Sequence, residues 1–199
     1  MLQVSYHINS VFSSVSYLLT DCDSQDCWLV DVGDYDVIKQ MLVGLSLRGV
    51  LLTHIHCDHI YGLNDLLKEN PSVTIYTNSN GIKALNDPMA NLSCYHKTPF
   101  IINQNANLVC LSDGDSIADN EHIFKVYETP GHDISCLSYE IEGLLFTGDS
   151  YIPGMKVFTK FQNSNKALAD KSYNMLKQLS MDLKIYPGHI VENKLQTVD

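Results

Sequence analysis

The segment Thr53-His54-Ile55-His56-Cys57-Asp58-His59 places three histidines and an aspartate within six consecutive positions, directly after the apolar run Gly49-Val50-Leu51-Leu52. In an extended segment residues two apart project to the same side, so His54 and His56 can present their imidazoles to one metal ion. A turn at Cys57 sends Asp58 and His59 toward a neighbouring position. Three histidines this close would repel one another if protonated, and the end of a buried strand is a poor place for that charge. A bound metal removes the conflict because it takes the neutral imidazole. Three more ligand-type residues stand beside glycine at strand ends: His132 in Thr129-Pro130-Gly131-His132, Asp149 in Thr147-Gly148-Asp149 and His189 in Tyr186-Pro187-Gly188-His189. Glycine lets the backbone approach a site closely. The seven residues suffice for two metal sites that share one carboxylate.

Residues so far apart in sequence need a frame to bring them together. Apolar and β-branched runs at 2–8, 14–20 and 26–31, with turn residues between them, predict an antiparallel meander. From Tyr35 to Leu47 apolar residues recur at helical spacing behind Asp34 as a candidate N-cap, and the strand 49–52 follows. The pattern then predicts a helix over 60–69, a strand over 73–76 and a long loop over 86–107. Strands are predicted at 108–112, 121–128, 134–140, 143–148 and 184–186, and a helix over 166–179. Strands toward both ends with helices between them predict an α/β fold of two sheets sandwiched between helices, in a single domain spanning 1–199.

The motifs T-H-I-H-C-D-H, T-P-G-H, T-G-D and Y-P-G-H, in that order, resemble the metallo-β-lactamase fold superfamily, and its glyoxalase II-like hydrolases most of all. The resemblance implies a four-layer αββα sandwich with its site at one edge, between the sheets. It implies a first metal on His54, His56 and His132, a second on Asp58, His59 and His189, and Asp149 bridging them. Two divalent ions are implied, zinc first, with iron or manganese as alternatives. The implied reaction is hydrolysis of a thioester, lactone or related ester by a metal-bridging hydroxide, with Asp58 orienting the nucleophile. Some relatives are instead mononuclear iron persulfide dioxygenases, for which the matching residues are His54, His132 and Asp149. Asp133 stands where the family commonly has a small hydroxyl residue, and only ten residues follow His189. No glutathione-holding helical domain is therefore expected, and the loops 86–107 and 150–165 must contact substrate. Tyr95, His96, Lys97, Tyr151, Lys156 and Lys160 on those loops are the candidate contacts to a short anionic group.

Composition narrows the partners. With 13 Lys and Arg against 23 Asp and Glu, the formal charge is −10, and Arg48 is the single arginine. A surface that tracks phosphates needs clustered cations, so nucleic acid is excluded and a small-molecule substrate is expected. No run approaches a membrane span in length, and no basic leader precedes an apolar stretch. Six cysteines without C-x-x-C spacing read as reduced thiols and a cytoplasmic address. Cys57 reads as a spacer packed behind the histidine loop. His7 and His122 read as ordinary strand residues, and monomer and homodimer both stay open.

Overall fold

A computed structural model describes residues 1–190; positions 191–199 of the expected domain lie outside the described residues. One sheet has six strands in the order β1 (Leu2–Ile8), β2 (Val15–Asp21), β3 (Asp26–Val30), β4 (Ser46–Leu51), β5 (Thr74–Asn78) and β6 (Asn107–Leu111). Its first three strands form the predicted meander, and β3 to β6 run parallel. The second sheet joins β7 (Ser116–Asp119), β8 (His122–Glu128), β9 (Leu137–Ile141), β10 (Leu144–Gly148) and β11 (Lys184–Pro187). Four helices, α1 (Tyr35–Met41), α2 (Cys57–Ile60), α3 (Leu63–Glu69) and α4 (Ser79–Ala84), fall between strands of the first sheet; α5 (Lys166–Leu179) precedes β11.

The layers follow from strand alternation, because successive side chains leave a strand on opposite faces. Val15, Tyr17 and Leu19 of β2, Trp28 and Val30 of β3 and Leu51 of β4 point between the sheets, where they meet Phe124, Val126, Leu137, Tyr139 and Phe146. Their neighbours Leu18, Leu29 and Val50 point outward and pack under Ile38 of α1 and Leu63, Leu66 and Leu67 of α3. On the far face of the second sheet, Leu145 is covered by Leu176 of α5. The result is the expected αββα sandwich with an apolar seam between each pair of layers.

Several elements depart from the expected boundaries for local reasons. α1 ends at Met41 rather than Leu47, since the chain turns through Gly44 in the left-handed region, at φ +81°. Asp34 precedes α1 without capping it through its side chain; its carboxylate is taken by Ser10, His7 and Tyr61. The expected helix 60–69 is two helices, α2 and α3, with Gly62 between them packed against the Gly33 carbonyl where a Cβ would collide. β9 starts at Leu137 because Asp133 and Ser135 use their polar groups on each other in the preceding turn. β7 was not expected: it has only four residues, and only Ile117 is buried.

Candidate metal centre

The seven ligand-type residues come from five segments that meet at one edge of the sandwich. His54 and His56 lie just after β4, and Asp58 and His59 lie in α2. His132, Asp149 and His189 follow β8, β10 and β11. His54, His56 and His132 each offer a nitrogen within 4.8 Å of the other two, and Asp58, His59 and His189 form a second such group. Asp149 stands between them, with Oδ2 3.4 Å from Nε2 of both His132 and His189 and Oδ1 3.7 Å from His59 Nε2. The close approach of β11 depends on Gly188, where a Cβ would collide with Asp149 Oδ1.

Hydrogen bonds around the rim settle which nitrogens face inward. Thr53 Oγ1 donates to Asp31 Oδ2 at 2.6 Å, so at 3.1 Å it accepts from His54 Nδ1, leaving His54 Nε2 as a lone pair. His132 Nδ1 donates to the Phe158 carbonyl at 2.9 Å, which leaves its Nε2 likewise bare. His56 Nε2 faces Asp133 Oδ2 at 3.5 Å, a pairing that calls for the proton on Nε2 and the lone pair on Nδ1. His56 Nδ1 and His132 Nε2 are nevertheless only 3.0 Å apart. Two lone pairs at that distance repel unless a cation lies between them. His54 Nε2 and Asp149 Oδ1 are buried with no hydrogen-bond partner among the described residues, which buried polar atoms rarely tolerate. A divalent cation fits this donor set, and nitrogen with carboxylate oxygen suits zinc, iron or manganese.

The electrostatics divide the cluster. Burial, together with His59 and His56, drives the pKa of His54 well below the ordinary imidazole value. Burial likewise lowers that of His132 despite Asp149. On the other side burial is outweighed: Asp58, Asp31 and Asp149 carry His59 up to about 10. The bond to Asp149 raises His189 in the same way. Asp149 itself is held well below the carboxylate range, since the surrounding histidines overcome its burial. His54 and His132 are therefore neutral and ready for a cation, whereas His59 and His189 give up protons on meeting one.

Asp31, which the motifs do not include, organises both groups. It is buried, accepts from the Thr53 amide at 2.8 Å and Thr53 Oγ1 at 2.6 Å, and accepts from His59 Nδ1 at 2.8 Å. Its backbone sits in the left-handed region at φ +58°, which costs a non-glycine residue of order 1–3 kcal/mol and persists only where contacts enforce it. The available signal was an aspartate directly after the apolar run Cys27-Trp28-Leu29-Val30, two residues before Gly33.

In front of the cluster lies a cavity of about 550 Å³ lined by Tyr95, His96 and Lys156 among the candidate contacts. The other three are elsewhere. Tyr151 is buried against Leu145 and Leu176 because its ring completes the α5 seam, and Lys97 and Lys160 are exposed and do not line the cavity. Cys57 does not pack behind the loop as expected. As the first residue of α2 it faces the cavity, with Sγ 3.1 Å from His96 Nε2 and its thiol pushed up to about 12 by burial. The cavity wall also contains Phe12, Phe158 and Phe161, which the sequence reading did not single out. His7 pairs with Asp34, and His122 is buried between Glu142 and Asp21.

This chain belongs to the metallo-beta-lactamase superfamily, whose family model matches residues 10–189. It is 31% identical over 193 residues to a hydroxyacylglutathione hydrolase of Pseudoalteromonas translucida (strain TAC 125), covering 95% of this chain and 65% of the relative. The chain thus spans less than two thirds of that relative's length. Among solved structures it superimposes on the BLEG-1 B3 metallo-beta-lactamase with a TM-score of 0.84 at 23% identity, covering 95% of this chain and 92% of the other. It superimposes on TTHA1623 in a di-iron-bound form with a TM-score of 0.77 at 20% identity, covering 94% and 92%. Both likenesses concern the fold. Among the described residues no helix is long and apolar enough to cross a membrane.

Proposed function

We propose that this chain is a dinuclear metal-dependent hydrolase that cleaves a thioester, lactone or related ester of a small molecule. The observation that carries the reading is the pair of inward-facing imidazole lone pairs, His56 Nδ1 and His132 Nε2 at 3.0 Å, beside a second donor group that shares Asp149. The chemical class follows the similarity to hydroxyacylglutathione hydrolases. His54, His56 and His132 would hold one ion, Asp58, His59 and His189 the other, and Asp149 both. Zinc is the ion we assign, and a fold neighbour that holds two irons supports the count. When bound, such ions supply Lewis acidity at the carbonyl and a water acidic enough to attack at neutral pH.

The chain's own groups do the rest. Asp58 Oδ2, 3.4 Å from His59 Nε2 and 3.5 Å from His189 Nε2, is placed to accept a hydrogen bond from the attacking water and aim its lone pair at the carbonyl carbon. Asp31 and Thr53 keep His59 and His54 in the tautomers that face inward. Phe161, with its ring 5.0 Å from His56, helps to exclude bulk water. A net charge of −10 favours a small substrate over nucleic acid, and the six free cysteines support a cytoplasmic address.

The test combines metal analysis of the protein as purified with a panel containing a hydroxyacylglutathione thioester, a lactone and a simple ester. Two metals per chain and hydrolysis that drops about a hundredfold or more in Asp58→Asn are expected, in line with the loss of a positioned proton acceptor. One iron per chain, with oxygen uptake on adding a persulfide and no hydrolysis, would overturn the reading in favour of the dioxygenase.

A further inference from the structure

We propose that the cavity in front of the metal-ligand cluster is an acyl pocket for an uncharged, apolar substituent, of medium alkyl length or aromatic. The assignment rests on the hydrolase reading above and names its substrate class. Phe12 comes from the β1–β2 turn, Leu92 and Tyr95 from the loop after α4, and Met155, Phe158 and Phe161 from the segment before α5. Five of these six are exposed, Phe12 at 72% and Tyr95 at 79%. Single exposed apolar residues are ordinary, but several from separate segments converging on one cavity mark a binding surface.

Two observations say what occupies it. First, the apolar wall is tied to the ligand cluster itself: the Phe158 carbonyl accepts from His132 Nδ1 at 2.9 Å, and the Phe161 ring lies 5.0 Å from His56 and 5.9 Å from His132. A carbonyl held at the cluster therefore has these rings within reach of its acyl substituent. Second, the wall offers an anionic tail little to pair with. Among the described residues Lys156 is the one lysine lining the cavity, and the rest of its outer wall is mostly apolar, so a charged tail would find little to pair with beyond the cluster itself. Phe12 is held over the opening by two successive left-handed residues, Phe12 at φ 52° and Ser13 at φ 56°, with its ring edge-on to His96 at 6.2 Å. The expectation of a grip on a short anionic group gives way to recognition by apolar contact.

The test compares kcat/KM of the metal-loaded full chain on p-nitrophenyl acetate, p-nitrophenyl hexanoate and the p-nitrophenyl monoester of adipic acid, which share one leaving group. Each fully buried methylene is worth roughly fourfold, so partial burial of four makes hexanoate better than acetate by about tenfold or more. The charged adipate ester falls below hexanoate by at least as much. In the double variant Phe12→Ser, Met155→Ser the hexanoate preference collapses to about threefold or less, whereas Met181→Ser, an exposed methionine that does not line the cavity, leaves it intact. Hydrolysis with acetate and hexanoate equal, or with the adipate ester favoured, overturns the acyl pocket and leaves the hydrolase reading standing. If no ester or thioester is cleaved, the hydrolase reading falls. Calorimetric titration of the metal-loaded chain with hexanamide and with adipic acid monoamide then decides the pocket: saturable binding of hexanamide alone supports it, and equal or absent binding overturns it.

Discussion

Under the proposed dinuclear reading, replacing Asp133 by alanine should weaken one metal site and spare the other. The buried Asp133 carboxylate is split between two duties: Oδ1 accepts from the amide and hydroxyl of Ser135 at 2.8 and 2.6 Å, and Oδ2 faces His56 Nε2 at 3.5 Å. Among the described residues neither Asp133 Oδ2 nor His56 Nε2 has a hydrogen-bond partner. Burial opposes ionisation of Asp133, but His56 and Ser135 hold its pKa below the ordinary carboxylate value. A negative charge behind His56 fixes the proton on Nε2 and so leaves the Nδ1 lone pair facing the cluster. Removing such an outer partner costs about 10–100-fold in metal affinity, or roughly 1.4–2.7 kcal/mol. The site formed by His54, His56 and His132 should lose that much. The site formed by Asp58, His59 and His189, whose outer partner is Asp31, should change by less than about threefold. Competition titration against a chromophoric chelator resolves the two dissociation constants. Asp133→Asn, which keeps an acceptor for His56, should recover part of the loss. Equal weakening of both sites, or a loss below about threefold at the first, would refute the assignment of Asp133 as the group that positions His56.

Gly188→Ala should disturb Asp149 and so lower occupancy of both proposed metal sites together, because the added Cβ collides with Asp149 Oδ1 and approaches His59 Cε1 at 3.1 Å; metal analysis showing one site intact would exclude that mechanism. Asp34 is held below the ordinary carboxylate range, burial being outweighed by hydrogen bonds from Tyr61, His7 and Ser10. A depressed folded-state pKa contributes stability above the unfolded value that is lost as pH falls through the folded one. The advantage of wild type over Asp34→Asn in urea unfolding should thus shrink below about pH 4, and a constant difference down to about pH 2 would contradict it. Phe124→Ala, at a fully buried ring tilted against Trp28 with centroids 4.9 Å apart between the sheets, should cost about 3–5 kcal/mol; a loss under about 1 kcal/mol would mean the inter-sheet seam closes around the cavity.

The helix at about 166–179 was legible in the sequence because helical patterning is local, and the structure adds its cap at Asn165, whose side chain accepts from the Leu168 amide. The main strands were legible for the same reason: alternation is written into neighbouring residues, and each face of β2 and β3 finds the apolar layer that its pattern requires. The histidine segment was legible because six consecutive positions limit how far apart His54, His56, Asp58 and His59 can lie, whatever the rest of the chain does. His132, Asp149 and His189 announced themselves through the glycine before each.

Tertiary structure alone decided the parts that depend on residues far apart in the chain. Asp31 reaches His59 across 28 positions and Asp133 reaches His56 across 77, so neither role leaves a local trace beyond an aspartate near a turn. Lysines on the two long loops looked like substrate contacts by sequence position, yet Lys97 and Lys160 lie outside the cavity, while Phe12, Phe158 and Phe161 line it. Tyr151, two residues after Asp149, is drawn inward because Leu145 and Leu176 offer it an apolar seat. Short-range spacing determines which side chains share a strand face or a turn. Which of them meet across the sandwich depends on how the layers pack, and that packing is set by burial summed over the whole chain.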